Sequence, residues 1–241
     1  QADVQSQPVF GREAPGFLDE AAEVMGQQAG TDKQHARLTE RVVDPERFSG
    51  ISAVTASHNH TDHLDAETLH PLFASNPGAR LVLAAANQDF AAQRLGAEHG
   101  GRLVPLADGQ SARIGGFSFT AVPAAHEELS PAYAGFVVSA GPFRVYHSGD
   151  TVLFPGMAER LRPFACDVAL LPINGRAPER RVSGNLDGPE AARLAHEIGA
   201  GCVVPCHYEM FAFNTASPLS MGWMRKWANC HPSMRSKSLA N

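Results

Sequence analysis

With 241 residues, 44% of them apolar and 19% charged, the chain is long enough for one α/β domain with a sizeable core and short for two. A net charge of −5 with the histidines neutral supplies no basic face for nucleic acid, so no nucleic-acid partner is expected. No run of about 18 apolar residues offers a membrane span.

Residues 1–28 are polar and Gln-rich, with Phe17, Leu18, Ala21, Ala22 and Val24 spaced for one short helix. They lack the basic-then-apolar layout of a secretion signal. Residues 41–50 read as a loop and 51–56 as a short strand that stops at a histidine-rich segment, 57–65. A helix is expected over 66–73, a strand over 81–85, and a helix over 87–95 with Asn87 near its cap. Residues 101–123 alternate in polarity around Gly115-Gly116 and read as paired antiparallel strands. Segments 136–139 and 144–147 flank Gly141-Pro142 as a hairpin, and 167–171 reads as a buried strand. Residues 189–198 form a helix stopped by Gly199, and 202–205 is the last clear strand. Strands interspersed with helices, in two similar halves, suit two packed sheets with helices outside. The cysteines, Cys166, Cys202, Cys206 and Cys230, form no CxxC pair and read as reduced thiols of a cytoplasmic protein. An extended segment would hold Cys202 and Cys206 too far apart for a disulfide.

The strongest chemical signal is Ser57-His58-Asn59-His60-Thr61-Asp62-His63-Leu64-Asp65. Random placement gives an H-x-H-x-D-H pattern in a chain of this composition on the order of one time in a thousand. Imidazoles and carboxylates together suit zinc, manganese or iron. The segment follows a strand, where a loop can turn several side chains onto one point. Four ligands cannot close two metal sites, and the further candidates stand just past predicted strands: His126, Asp150 and His207. Asp65 is expected to orient an imidazole from behind. His147 reads as a core or rim residue, and His35, His70, His99, His196 and His231 as solvated or partly buried. Glu127 reads first as a surface carboxylate, with catalysis second. No G-x-S-x-G elbow or P-loop is present, so serine-hydrolase and nucleotide-kinase readings have no anchor.

This ligand pattern resembles the metallo-β-lactamase superfamily. Leu171-Pro172-Ile173-Asn174-Gly175-Arg176, Gly184-Asn185, and Pro205-Cys206-His207-Tyr208-Glu209-Met210-Phe211 with Asn214-Thr215 resemble its L-ascorbate 6-phosphate lactonase-like branch. The resemblance implies an αββα four-layer sandwich over 29–218, between an atypical N-terminal segment, 1–28, and an atypical basic tail, 219–241. Residues 1–28 do not match the opening strands usual in the family, which would leave a sheet edge exposed. The resemblance also implies two divalent ions, zinc or manganese. His58, His60 and His126 would hold the first, Asp62, His63 and His207 the second, and Asp150 would bridge them. The implied activity is attack by a metal-activated water on an ester or lactone, with a phosphorylated sugar lactone as one candidate and Asp62 shuttling a proton. Arg176, Asn185, Tyr208 and Asn214 would grip an anionic small-molecule substrate. A phospholipase D-like phosphodiesterase of the same fold and a non-catalytic metal-binding remnant are the alternatives.

Overall fold

The structure is a computed structural model that describes residues 38–39, 43–177 and 183–221. Its first sheet has three strands, β1 (Ala53–Ala56), β2 (Arg80–Ala84) and β3 (Leu103–Leu106), all parallel and in that spatial order. The second sheet has six, in sequence order: β4 (Ser111–Ile114), β5 (Phe117–Ala125), β6 (Leu129–Ala140), β7 (Phe143–His147), β8 (Val168–Pro172) and β9 (Cys202–Cys206). Here β4 to β7 run antiparallel, whereas β8 and β9 join in parallel.

Alternation along the strands shows how the layers form. Leu81 and Leu83 of β2 pack with Leu69, Leu72 and Phe73 of α1 (Ala66–Ser75) and with Ala91 and Leu95 of α2 (Gln88–Leu95). Val82 and Ala84, one residue out of phase, pack instead with Phe119, Ala121, Ala134 and Phe136 of the other sheet. A strand buried on both faces needs the near-continuous apolar run that 81–84 supplies. Val137, Tyr146, Ala169 and Leu171 face outward from the second sheet. They meet Met157 and Leu161 of α3 (Met157–Leu161) and Ala191, Leu194 and Ala195 of α4 (Gly188–Glu197). Helices, sheet, sheet and helices therefore stack as the expected αββα sandwich. Each fully buried leucine on these faces contributes about 1.5–3 kcal/mol.

Several expectations are corrected. Among the described residues the halves are not alike, since a parallel three-stranded sheet faces a mixed six-stranded one. The first part of 101–123 is β3, which pairs in parallel with β2 rather than antiparallel with β4. Polarity alternation is the same for either pairing, so pattern alone does not choose between them. Asn87 stands at the N-cap of α2, as expected, but its side chain makes no cap. It is buried, and its Nδ2 donates to the Ala132 carbonyl at 2.8 Å, tying the start of α2 to β6. The cap of α4 lies two residues before the expected start, where Asp187 and Glu190 form a reciprocal capping box. Pro218–Met221 forms a 3-10 turn with Met221 buried against α4, so the packed body runs past residue 218. The helix expected near 17–24, His35, Cys230, His231 and the tail beyond 221 lie outside the described residues. Among the described residues, no helix is long and apolar enough to cross a membrane.

Candidate metal centre

Seven side chains from four strand ends converge at one end of the sandwich. Residues 57–63 leave β1, His126 follows β5, Asp150 follows β7, and His207 follows β9. Their donor atoms form two groups, each within 4.8 Å internally: His58, His60 and His126, and Asp62, His63, Asp150 and His207. Asp150 faces both. Its Oδ1 is 3.3 Å from His63 Nε2, and its Oδ2 is 3.1 Å from His207 Nε2 and 3.7 Å from His126 Nε2. Asp62 Oδ2 lies 3.5 Å from His63 Nε2 and 3.4 Å from His207 Nε2.

Local sequence makes this convergence possible. The 57–63 segment turns tightly, with the His63 and Leu64 amides both donating to the His60 carbonyl. Leu64, fully buried under α1, anchors the far side of the turn. Arg94 of α2 donates from Nη1 to the Asn59 and Leu64 carbonyls, at 2.8 and 3.0 Å, and closes the loop from beneath. Ser57 Oγ sits 2.9 Å from His58 Nδ1 and 3.1 Å from His63 Nδ1. A hydroxyl oxygen can accept from both Nδ1–H groups, an arrangement that leaves both Nε2 atoms bare. His126 Nδ1 is likewise held by the Gly184 carbonyl at 3.1 Å. The Asp150 loop is fixed through Thr151, whose Oγ1 accepts from the Ala125 amide and whose amide donates to Asn185 Oδ1.

His207 has φ +58 and Glu209 φ +57, a left-handed conformation that costs a non-glycine residue about 1–3 kcal/mol. Neighbouring bonds hold them there. The Ile173 amide donates to Cys206, the Glu209 amide to Thr215 Oγ1, and Thr39 Oγ1 to the Glu209 carbonyl.

The electrostatics separate the two groups. Burial, reinforced by the neighbouring His63, pushes the His58 pKa down to about 2. Burial also pushes His126 down, only partly opposed by Asp150. Burial disfavours the charge on His63 and His207 too, but Asp150 and Asp62 outweigh it and raise both, His207 well above the ordinary value. Burial alone would raise Asp62 and Asp150. Their histidine neighbours overcome it, so both carboxylates stay ionised.

The donor set fits divalent first-row metals. It is imidazole and carboxylate throughout, and His58 Nε2 and His63 Nε2 are buried with no hydrogen-bond partner. A raised pKa keeps a proton on the ligand nitrogen to higher pH, and that proton competes with metal. On lowering the pH from about 7.5 to about 5, around the ordinary histidine value, the Asp62, His63, Asp150 and His207 group should therefore release metal before the His58, His60 and His126 group. Equilibrium dialysis of wild type, His58→Ala and His207→Ala across that range checks the order. Simultaneous release would contradict it.

The remaining expected site residues sit differently. Asp65 does not orient an imidazole. It caps α1, accepting from the Glu67 and Thr68 amides, because a carboxylate just before a helix meets free N–H groups first. Arg176 is half exposed, and its two terminal nitrogens donate to Glu190 at 2.9 and 2.6 Å. Asn185 is buried behind Thr151. Asn214 Oδ1 accepts from Asn174 Nδ2, and Tyr208 packs partly against the outer core. Glu127 is exposed and accepts from Ser183 Oγ at 2.5 Å. His147 is half buried on β7, with burial pushing its pKa down to about 4, and belongs to neither donor group. Ser57, Arg94, Thr151 and Tyr133 were not expected from the sequence. Only Ser57, adjoining the motif, carried a local signal. Tyr133 places its ring 5.6 Å from that of His58 and 5.7 Å from that of His126, edge-on to both. Burial and then Glu127 and Glu128 raise its pKa, so the phenol keeps its proton at neutral pH.

Comparison with known proteins agrees with this fold. Residues 27–208 match the family model described as a beta-lactamase superfamily domain. The "UPF0173 metal-dependent hydrolase" of Aeropyrum pernix is 32% identical over 182 residues, 70% of each chain. That of Rubrobacter xylanophilus is 34% identical over 186 residues, covering 72% of this chain and 70% of its own. Among solved structures, Igni18, a metallo hydrolase from the archaeon Ignicoccus hospitalis, shares the fold with a TM-score of 0.58 and 24% identity, over 75% of this chain and 73% of its own. The chain belongs to the metallo-β-lactamase superfamily and, within it, to the UPF0173 family of metal-dependent hydrolases.

Proposed function

We propose that this metal-dependent hydrolase holds two divalent ions, zinc or manganese, and cleaves an ester or lactone bond in a small molecule. The observation that carries the reading is the pair of donor groups with Asp150 facing both. His58, His60 and His126 would hold one ion, Asp62, His63 and His207 the other, with Asp150 between them. When bound, such ions supply Lewis acidity toward a carbonyl oxygen and lower the pKa of a water toward about 7.

The chain's own groups do the rest. Ser57 and the Gly184 carbonyl aim the imidazoles, which costs nothing further at the moment of reaction. Asp62 stays ionised and partly open to the cleft, so its carboxylate accepts a hydrogen bond from the attacking water. The water oxygen adds to the carbonyl carbon and the acyl C–O bond breaks. One water proton passes through Asp62 to the departing alkoxide oxygen, and the acid product loses the other to solvent. Metal analysis of protein purified without chelator, beside a panel of lactones, aryl esters and bis-aryl phosphates, tests the reading. Two ions per chain with turnover of lactones or esters supports it. Turnover confined to the phosphates would make the enzyme a phosphodiesterase, and no turnover at full metal content would make it a binding protein.

An anionic handle on the substrate, such as a sugar phosphate, rests on the resemblance of 171–176 and 205–211 to the lactonase branch, whereas the placement of Arg176 does not favour it as the grip. Because the Arg176 fork is already joined to Glu190 in the capping box of α4, Arg176→Ala is expected to change the efficiency ratio between a phosphorylated lactone and its unphosphorylated analogue by less than about threefold. That is the scale of a solvent-screened ion pair. A ratio that falls more than tenfold would restore Arg176 as the anion grip.

A further inference from the structure

We infer that Tyr133 is a catalytic residue, its hydroxyl donating a hydrogen bond to the carbonyl oxygen of the substrate as that oxygen gains charge. The inference rests on the ester or lactone reading and assigns a role to a residue outside both donor groups.

Three observations carry it. The ring stands edge-on to His58 and to His126, the two buried members of the first donor group, so it walls that side of the centre. The backbone beneath it is pinned on both sides: the Ala134 amide donates to the Ser57 carbonyl at 3.0 Å, and Asn87 Nδ2 donates to the Ala132 carbonyl. The residue before His58 and the start of α2 thus hold Tyr133 in register with the ligands, on a strand rather than a mobile loop. Finally, the Tyr133 hydroxyl has no hydrogen-bond partner among the described residues, although the ring is half buried. A tyrosine whose ring is packed and whose hydroxyl is unclaimed keeps a donor for something that enters the cleft. A neutral donor set in place beforehand stabilises an oxygen most when charge develops on it.

Tyr133→Phe keeps the ring and removes only the hydroxyl. With wild-type metal content it is expected to lower kcat on 4-nitrophenyl acetate and on a δ-lactone by about 10- to 100-fold with little change in KM, toward the lower edge of the loss typical of one oxyanion donor. A second readout does not need turnover: titration with the monoethyl ester of methylphosphonate, a tetrahedral mimic. Tyr133→Phe should weaken its binding by a similar factor. If the wild type hydrolyses neither substrate yet binds the phosphonate in a Tyr133-dependent way, the ester reading fails and the donor assignment stands. Phosphonate binding and turnover both within about threefold of wild type in Tyr133→Phe would overturn the assignment. So would loss of metal from that variant, which would make Tyr133 a packing residue, and so would a wild type that does not bind the phosphonate.

Discussion

Asp150→Ala is expected to reduce bound metal from two ions to at most one and to lower hydrolysis by about a thousandfold or more. Asp150 has a carboxylate oxygen within 3.7 Å of an imidazole nitrogen from each of three loops. It stays ionised despite burial because His63 and His207 surround it. Removing it takes a ligand from one group and the shared charge from between them. A thousandfold is about 4 kcal/mol, within the several kcal/mol that a metal supplies to developing charge. Asp150→Asn keeps the shape and loses the charge, so it should hold the fold while binding metal more weakly than wild type. Metal content by elemental analysis, with thermal unfolding to confirm folding, checks both variants. A folded Asp150→Ala protein that keeps two ions would remove the bridging role.

Gly149→Ala is expected to destabilise the protein by about 2–4 kcal/mol and to weaken metal binding as well. Gly149 has φ +62, and a Cβ there would stand 2.4 Å from Ser57 Cβ and 2.9 Å from the Ala134 carbonyl oxygen. The left-handed conformation costs about 1–2 kcal/mol and the forced shift, in the lower part of the range for overpacking, about 1–2 more. The atom displaced belongs to Ser57, whose hydroxyl lies within hydrogen-bond distance of Nδ1 of both His58 and His63, so misplacement reaches the candidate ligands directly. For a chain of this length the midpoint of thermal unfolding should fall by roughly 5–15 °C. Gly109→Ala is the control, with a similar φ of +76 and open space around the new methyl. It should lose only the conformational part and leave metal affinity alone. Equal losses in the two variants would show that contact with Ser57 is not what matters at 149.

The candidate metal centre was the most legible part of the sequence, for a physical reason. Metal coordination demands particular side chains, and His58, His60, Asp62 and His63 are placed by one short turn after one strand, so spacing alone reveals them. The sandwich was legible too, because burial on both faces writes a continuous apolar run into 81–84, and burial on one face writes a helical stripe into 66–75 and 188–197. Tertiary structure alone decided the rest. Whether β3 joins its neighbour in parallel or antiparallel depends on which edge the chain returns to, and pleat alternation is identical in both cases. Asp65, Arg176 and Asn185 are polar residues at the ends of the motif segments. Sequence shows that each needs a partner, but only the fold supplies a helix N-terminus, Glu190 and the Thr151 amide. Ser57, Arg94 and Tyr133 serve the centre from 57, 94 and 133, positions without shared spacing. What joins them is distance across the sandwich, which local sequence does not encode.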